Sequence, residues 1–303
     1  MAATVPLVSF EFFPPKNPEA AEQLWVTIRA LAPLAPRFVS VTYGAGGTTR
    51  QETTTTLTAI KAQTPLLPAA HLTCVNHTRA ELERIARFYW EAGIRHIVAL
   101  RGDLPPGQEQ VGGDFPYASD LVAFLKSLAD FEISVAAYPE IHPQALSPEQ
   151  DLDNLKRKLD AGATRAITQY FFETEDYLRF LSRARQSGIS APIVPGILPV
   201  TNFAQVEKFS RLCGARLPDW MRELFQNLDA DPDTRKLVAA MVATEQCRSL
   251  MSEGVEEFHF YTLNRADLTL GICRRLGLRP RLDQQEGEGI AYQTPPLPVD
   301  PAM

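Results

Sequence analysis

Eight short, mostly apolar runs alternate with segments of helical pattern along this 303-residue chain, and no other feature narrows its fold as far. The runs fall at 5–13, 38–43, 69–74, 96–100, 133–138, 166–172, 193–199 and 257–263. Helical segments follow at 18–34, where Pro18 suits a first turn, and after a Gly-rich stretch that Thr48 or Thr49 would cap. Others follow at 78–92, 119–128, 148–160, 174–186, from 203 onward and at 266–276. In the fifth, Leu152, Leu155 and Leu159 make one stripe at helical spacing. A further helical stretch at 218–253 precedes the eighth run. Runs such as Ile193-Val194-Pro195-Gly196-Ile197-Leu198 are almost continuously apolar, the pattern of strands buried on both faces of a parallel sheet. Eight strand–helix repeats predict an α/β fold closed into a (β/α)8 TIM barrel, one domain over 1–278, with extra helices before the eighth strand. The alternative is an open doubly wound sheet, but no G-x-G-x-x-G follows the first strand. Residues 279–303, rich in Pro, Gly and acidic side chains, read as a flexible tail.

Charge narrows the partners. The formal net charge is −6 with no block of Lys or Arg, which argues against nucleic acid or an anionic membrane as the main partner. A small anionic ligand stays compatible, since a local basic cluster can sit on an acidic protein. Cys74, Cys213, Cys247 and Cys273 form no C-x-x-C pair, so no metal site is expected, and such sparse usage fits a reducing compartment. No basic-then-apolar leader opens the chain, and no stretch approaches the ~18 apolar residues needed to span a membrane. The expectation is a soluble, cytoplasmic protein.

In a barrel of this kind the reactive groups gather at the C-terminal ends of the strands. The polar residues there are Glu11, Thr42, Tyr43, His71, Thr73, Arg101, Asp103, Tyr138, Glu140, His142, Gln169, Tyr261, Asn264 and Arg265. Glu11 sits between Phe10 and Phe12, and aromatic neighbours that strip its water should raise its pKa. A carboxyl so raised suits a general acid; the alternative is a structural carboxylate paired with a core arginine or facing solvent. His71 is a base, a ligand contact or a buried hydrogen-bonding residue. His142 lies on a loop, where recognition is the more natural role. Asp103 binds a ligand or caps a turn, and Gly102 before it permits close backbone approach. On the fifth helix Asp151, Asn154 and Lys158 fall at i, i+3 and i+7, with Arg157 adjacent. This face is either merely solvated or a clamp for a diphosphate and a ribose. Gln205 and Phe209, four apart, share a helical face that suits a flat aromatic ligand with polar edges, unless Phe209 packs in the core.

Taken together, these residues resemble the methylenetetrahydrofolate reductase family. The resemblance is carried in order by Val8-Ser9-Phe10-Glu11-Phe12-Phe13-Pro14-Pro15, Val39-Ser40-Val41-Thr42-Tyr43-Gly44-Ala45 and His71-Leu72-Thr73-Cys74. Next come Ala99-Leu100-Arg101-Gly102-Asp103, Ala136-Ala137-Tyr138-Pro139-Glu140 with His142-Pro143, and Asn154-Leu155-Lys156-Arg157-Lys158. The set closes with Ile167-Thr168-Gln169, Pro195-Gly196-Ile197-Leu198-Pro199 and Phe258-His259-Phe260-Tyr261-Thr262-Leu263-Asn264-Arg265. The resemblance implies a barrel with non-covalent FAD and with NADH or NADPH as electron donor. Glu11 would be the general acid, and Asp103 would contact the pterin near the flavin. Thr42, Tyr43, Ala45, His71, Arg101, Gly102, Asp103, Tyr117, Ala118, Tyr138, His142, Asp151, Asn154, Arg157 and Lys158 would hold FAD. Gln169, Gln205, Phe209, Tyr261 and Arg265 would serve the folate. The implied reaction is ping-pong reduction of methylenetetrahydrofolate by a homo-oligomeric enzyme. Two competing classes are a flavin-free aldolase or hydrolase on the same barrel, and a folate- or flavin-binding protein without turnover.

Overall fold

The structure, a computed structural model, describes residues 5–44, 50–104, 107 and 112–280. Among them nine short strands pair in parallel: β1 (Leu7–Phe12), β2 (Val39–Val41), β3 (Pro68–Thr73), β4 (His96–Leu100), β5 (Glu132–Ala137), β6 (Arg165–Thr168), β7 (Ile193–Val194), β8 (Gly196–Ile197) and β9 (Glu257–Tyr261). Their order in the sheet is β7-β6-β5-β4-β3-β2-β1-β9-β8. Its two ends, β7 and β8, are separated in the chain only by Pro195, so the sheet closes into the expected α/β barrel. The run expected as one strand at 193–199 is split because proline has no N–H to give a ladder. Its first half pairs with β6 and its second with β9, while the Pro195 carbonyl still accepts from His259 N at 3.0 Å.

Among the described residues ten α-helices accompany the strands: α1 (Pro18–Leu31), α2 (Arg50–Gln63), α3 (Arg79–Glu91), α4 (Ala118–Leu128), α5 (Pro148–Asp160), α6 (Thr174–Gln186), α7 (Phe203–Cys213), α8 (Asp219–Phe225), α9 (Pro232–Ser252) and α10 (Ala266–Arg275). The caps explain where several begin. Asn17, Ser147 and Asn202 each accept a first-turn N–H, and Thr78 closes a reciprocal box with Glu81. The insertion expected at 218–253 resolves into α8, a single 3-10 turn and α9. Ala45, the Thr48/Thr49 cap and the tail beyond Pro280 lie outside the described residues.

Side chains alternate along each strand, and the two faces meet different surroundings. Val8, Phe10, Phe12, Leu72, Ile97, Val135, Phe258 and Phe260 face the helices and join Leu24, Ile28, Leu57 and Ile85 in the main core. Each such side chain, fully buried, contributes roughly 1.5–3 kcal/mol. The inward set carries only a small apolar cluster, Phe38, Ala69, Val98 and Ile167. The rest of the interior is polar. At the N-terminal end Arg37 and Arg165 pair with Glu257 at 3.0 and 3.8 Å, and Arg165 pairs with Glu132 at 2.7 Å. Phe38 lies between the rings of His96 and His259, and His96 Nε2 meets Ser134 Oγ at 2.8 Å. Burial pushes the His96 imidazole down to about 4. The lower end is thus closed by ion pairs and packed rings, which leaves the C-terminal end as the side open to chemistry.

Candidate active site

Strand register decides which groups share the upper end of the barrel. Glu11 stands opposite Tyr261, and two residues earlier Ser9 stands opposite His259, so all four point to the same interior. His71, on β3, completes the group: its Nε2 lies 3.3 Å from Glu11 Oε2, and His259 Nε2 lies 3.6 Å from the same oxygen. Neither contact has hydrogen-bond alignment, and both Nε2 atoms are buried without a hydrogen-bond partner among the described residues. Ser9 Oγ meets the other His259 nitrogen, Nδ1, at 2.8 Å.

This geometry corrects one expectation. Phe10 and Phe12 turn outward to the helices, so they are not the environment of the Glu11 carboxyl. Burial alone would raise its pKa, but the imidazoles of His259 and His71 outweigh that and hold it down to about 2. In this state Glu11 is a carboxylate between two imidazoles.

The loop after β9 is held to the end of β1. Leu263 and Asn264 have φ of +52° and +55°, and they are the only adjacent pair of non-glycine residues with positive φ among the described residues. Such a conformation costs an L-residue other than Gly or Asn roughly 1–2 kcal/mol, so Leu263 carries most of the strain. What holds it is a set of hydrogen bonds. Asn264 Oδ1 accepts from Phe13 N and Asn264 Nδ2 donates to Phe13 O, both at 2.9 Å. Thr262 Oγ1 donates to Glu11 O at 2.6 Å, and Thr27 Oγ1 on α1 donates to Asn264 O at 2.8 Å.

A second cluster forms where the loops after β4 and β5 meet α5. Gly102 has φ of +88°, and a Cβ there would lie 2.7 Å from Val75 Cγ1 and 2.9 Å from Thr73 Cβ, so only glycine fits this approach. Arg101 donates from Nη2 to Gln144 Oε1 at 2.7 Å. The Tyr138 and His142 rings pack edge to face at 4.6 Å, and His142 N donates to Asp151 Oδ2 at 2.9 Å. Burial pushes the Tyr138 hydroxyl up to about 12, helped by the nearby carboxylates of Asp103 and Asp151. Lys158 lies below, donating from Nζ to Ala136 O at 2.6 Å; burial lowers it to about 8 against the pull of Asp151. Asn154 is half-buried on the same face, while Arg157, Asp103 and Tyr117 are exposed. Tyr117 immediately precedes α4, which opens at Ala118.

The structure therefore gathers Glu11, His71 and Tyr261 at one place, and Arg101, Gly102, Asp103, Tyr138, His142, Asp151 and Lys158 at another. Thr42 follows β2, where its N–H donates to Phe12 O and its carbonyl accepts from Thr53 Oγ1. Tyr43 next to it is buried with its hydroxyl unpartnered among the described residues. Gln169 directly follows β6, and Tyr261 OH donates to Thr168 O at 2.6 Å across Gly196, where a Cβ would strike the tyrosine ring. Gln205, Phe209 and Arg265 are exposed. Phe209 keeps 44% of its surface, so it is not a core residue. The sequence reading did not single out Ser9 or His259, although each lies two residues before a candidate on the same strand, the spacing that marks a shared face.

The family model for methylenetetrahydrofolate reductase matches residues 1–277. The chain belongs to the methylenetetrahydrofolate reductase family. It is 56% identical over 275 residues to the 5,10-methylenetetrahydrofolate reductases of Salmonella typhimurium and Escherichia coli, covering 91% of this chain and 92% of each relative. It is 35% identical to methylenetetrahydrofolate reductase (NADH) 1 of Arabidopsis thaliana, spanning 48% of that longer protein. Among solved structures, an uncharacterised Clostridium thermocellum protein that binds two copies of 5-methyl-5,6,7,8-tetrahydrofolic acid superposes with a TM-score of 0.62. It is 14% identical and covers 90% of this chain and 94% of its own, a likeness of fold. Among the described residues no helix is long and apolar enough to cross a membrane, and no group of three or more His, Cys, Asp or Glu could hold a metal ion.

Proposed function

We propose that this member of the family reduces 5,10-methylenetetrahydrofolate to 5-methyltetrahydrofolate with FAD as cofactor and NADH or NADPH as electron donor, in a ping-pong sequence at the upper end of the barrel. The observation that carries this reading is Glu11, a carboxylate at the barrel mouth with two imidazoles on one oxygen, in a chain more than half identical to reductases of that name.

The residues present fit the cofactor. Ser40 Oγ, Tyr43 OH, His71 Nε2, Thr73 Oγ1 and His259 Nε2 are buried polar atoms with no hydrogen-bond partner among the described residues. A buried polar group left unpaired costs roughly 1–3 kcal/mol, so a cluster of them favours a ligand with polar edges. Lys158 and Arg157 would face the diphosphate, Asp151 and Asn154 the ribose hydroxyls, and Gly102 admits close approach of a flat ring. Thr42, Tyr43, Ala45, His71, Arg101, Asp103, Tyr117, Ala118, Tyr138 and His142 complete the proposed set. FAD, when bound, supplies a two-electron relay between the pyridine nucleotide and the folate.

Glu11 supplies the proton. Protonation of a nitrogen of the folate's five-membered ring lets a carbon–nitrogen bond break to an iminium, whose exocyclic carbon is then the hydride acceptor. A carboxyl held near 2 keeps no proton of its own at rest. Seating the substrate excludes the remaining water and raises the carboxylate's proton affinity. An imidazolium at His71 or His259, whose Nε2 atoms lie 3.3 and 3.6 Å from Glu11 Oε2, would pass its proton to that oxygen and return to neutral imidazole. Asp103 and Gln169 would hold the pterin, and Gln205, Phe209, Tyr261 and Arg265 the rest of the folate, with some serving the nucleotide in turn.

Purified protein should be yellow, bleach anaerobically with NADH or NADPH, and recover its colour on adding methylenetetrahydrofolate. A colourless protein that takes up no FAD, or a bleached one that the folate does not reoxidise, overturns the proposal.

A further inference from the structure

We infer that Asn264, assigned no role in the site above, is a positioning residue for the folate half-reaction: it clamps the strained turn after β9 onto β1 and so fixes where Glu11 stands. The inference rests on the proposed function. Its ground is a convergence of contacts on two residues, Glu11 in β1 and Phe13 at its exit. The Asn264 amide engages Phe13 at both N and O, as a paired strand would, and Thr262 Oγ1 engages the Glu11 carbonyl. The two anchors are linked, since Asn264 N donates to Thr262 Oγ1 at 3.2 Å and Arg265 N to Thr262 O at 2.9 Å. From outside the barrel, α1 holds the same turn through Thr27 Oγ1 to Asn264 O.

The ladder between β1 and β9 ends at Glu11 and Tyr261. Beyond it, these side-chain bonds take over the register. They replace a regular continuation with a two-residue left-handed turn, which Leu263 adopts only under constraint. The turn has Tyr261 two residues before Leu263 and Arg265 directly after Asn264, both proposed to meet folate. Release of the amide clamp would let the turn relax and loosen the Glu11 end of β1 against His71 and His259. Lys158, Tyr138 and the rest of the second cluster lie on α5 and on the loops after β4 and β5, and keep their partners.

Asn264→Gly is the direct test, because glycine accepts the positive φ and loses only the amide. In the holoenzyme, stopped-flow reduction by NADH or NADPH is expected within about twofold of the unaltered protein, and reoxidation by methylenetetrahydrofolate about tenfold slower or more. Amide hydrogen exchange at Phe13, whose N–H is bonded to Asn264 Oδ1, should quicken, which reads the clamp without turnover. Thr27→Val, buried on α1 outside the barrel, should act in the same direction more weakly. It also keeps the question open to disproof should the glycine variant fail to fold. Equal slowing of both half-reactions, or unchanged reoxidation in a variant with faster Phe13 exchange, overturns the inference. Unaltered protein that methylenetetrahydrofolate fails to reoxidise overturns the proposed function and this inference together.

Discussion

Ser9 Oγ and His259 Nδ1 stand 2.8 Å apart across the β1–β9 pairing, which leaves His259 Nε2 as the nitrogen turned to Glu11. A hydrogen bond on one ring nitrogen sets the tautomer, and so decides what the other can do. Ser9 Oγ thus occupies Nδ1 and leaves Nε2 as the nitrogen through which His259 would exchange a proton with Glu11 Oε2 in the proposed relay.

Glu11→Gln keeps the side chain's size and removes its acid function. Reduction of the bound flavin by NADH or NADPH needs no proton at the folate, and should stay near normal. Reoxidation by methylenetetrahydrofolate is expected to fall by about 10²–10⁴-fold, the usual loss when a general acid is removed. Stopped-flow traces of the separate half-reactions decide the matter, and equal slowing in both would assign Glu11 to positioning instead.

His96 gives the barrel a pH-dependent stability. Its imidazole is neutral in the folded protein down to about 4, against 6.5 for an exposed histidine. Below 6.5 the unfolded chain binds the proton and the folded one does not, so stability present at higher pH is lost as pH falls toward 4. Between pH 7.5 and pH 5 this histidine alone should cost about 2 kcal/mol. Urea denaturation at the two pH values should show a drop smaller by that amount in His96→Gln; equal drops would mean that His96 is protonated in the folded state.

Lys158 and Arg157 should act unequally on the cofactor. Lys158 is half-buried and lowered to about 8, so its charge weakens as pH rises through that value, whereas exposed Arg157 keeps its charge. Replacing both by alanine should leave folded, largely colourless protein, with FAD affinity down at least about tenfold. Cofactor retention by unaltered protein should also fall above pH 8. A fully yellow double variant, measured by absorbance after gel filtration, would make this helix face merely solvated.

Phe209 keeps 44% of its surface exposed on α7, so Phe209→Ala should change unfolding stability by about 1 kcal/mol or less, where a core phenylalanine would cost roughly 3–5. The Michaelis constant for the folate should rise. A large drop in melting temperature, with that constant unchanged, would put Phe209 in the packing and remove it from the substrate site.

How legible the molecule was in its sequence depended on whether the signal was local. Strand β4 and helices α5 and α6 appear with the bounds read from the sequence, because apolar spacing and caps such as Ser147 act within a few residues. The break at Pro195 was written in the sequence too, but the apolar residues on either side masked it. The environment of Glu11 was misread because its chain neighbours are not its spatial neighbours. Phe10 and Phe12 lie on the opposite face of the strand, while His71 and His259 arrive from strands far along the chain. Asn264 was seen only as a polar residue at a strand end, since nothing local reveals that its amide reaches back 251 residues to Phe13.

The pairing of β1 with β9 ties the beginning of the chain to its far end, Leu7 to Glu257 and Glu11 to Tyr261. A ribosome adding ~5–20 residues per second needs tens of seconds to pass from one to the other. Throughout that interval one edge of β1 has no partner, and an open edge is a template for foreign strands. The proton-handling groups are divided by the same delay, because Glu11 emerges early and His259 almost last. A nascent chain therefore carries every strand through β8 before its acid has both imidazoles, and closing the seam and assembling the site are one event.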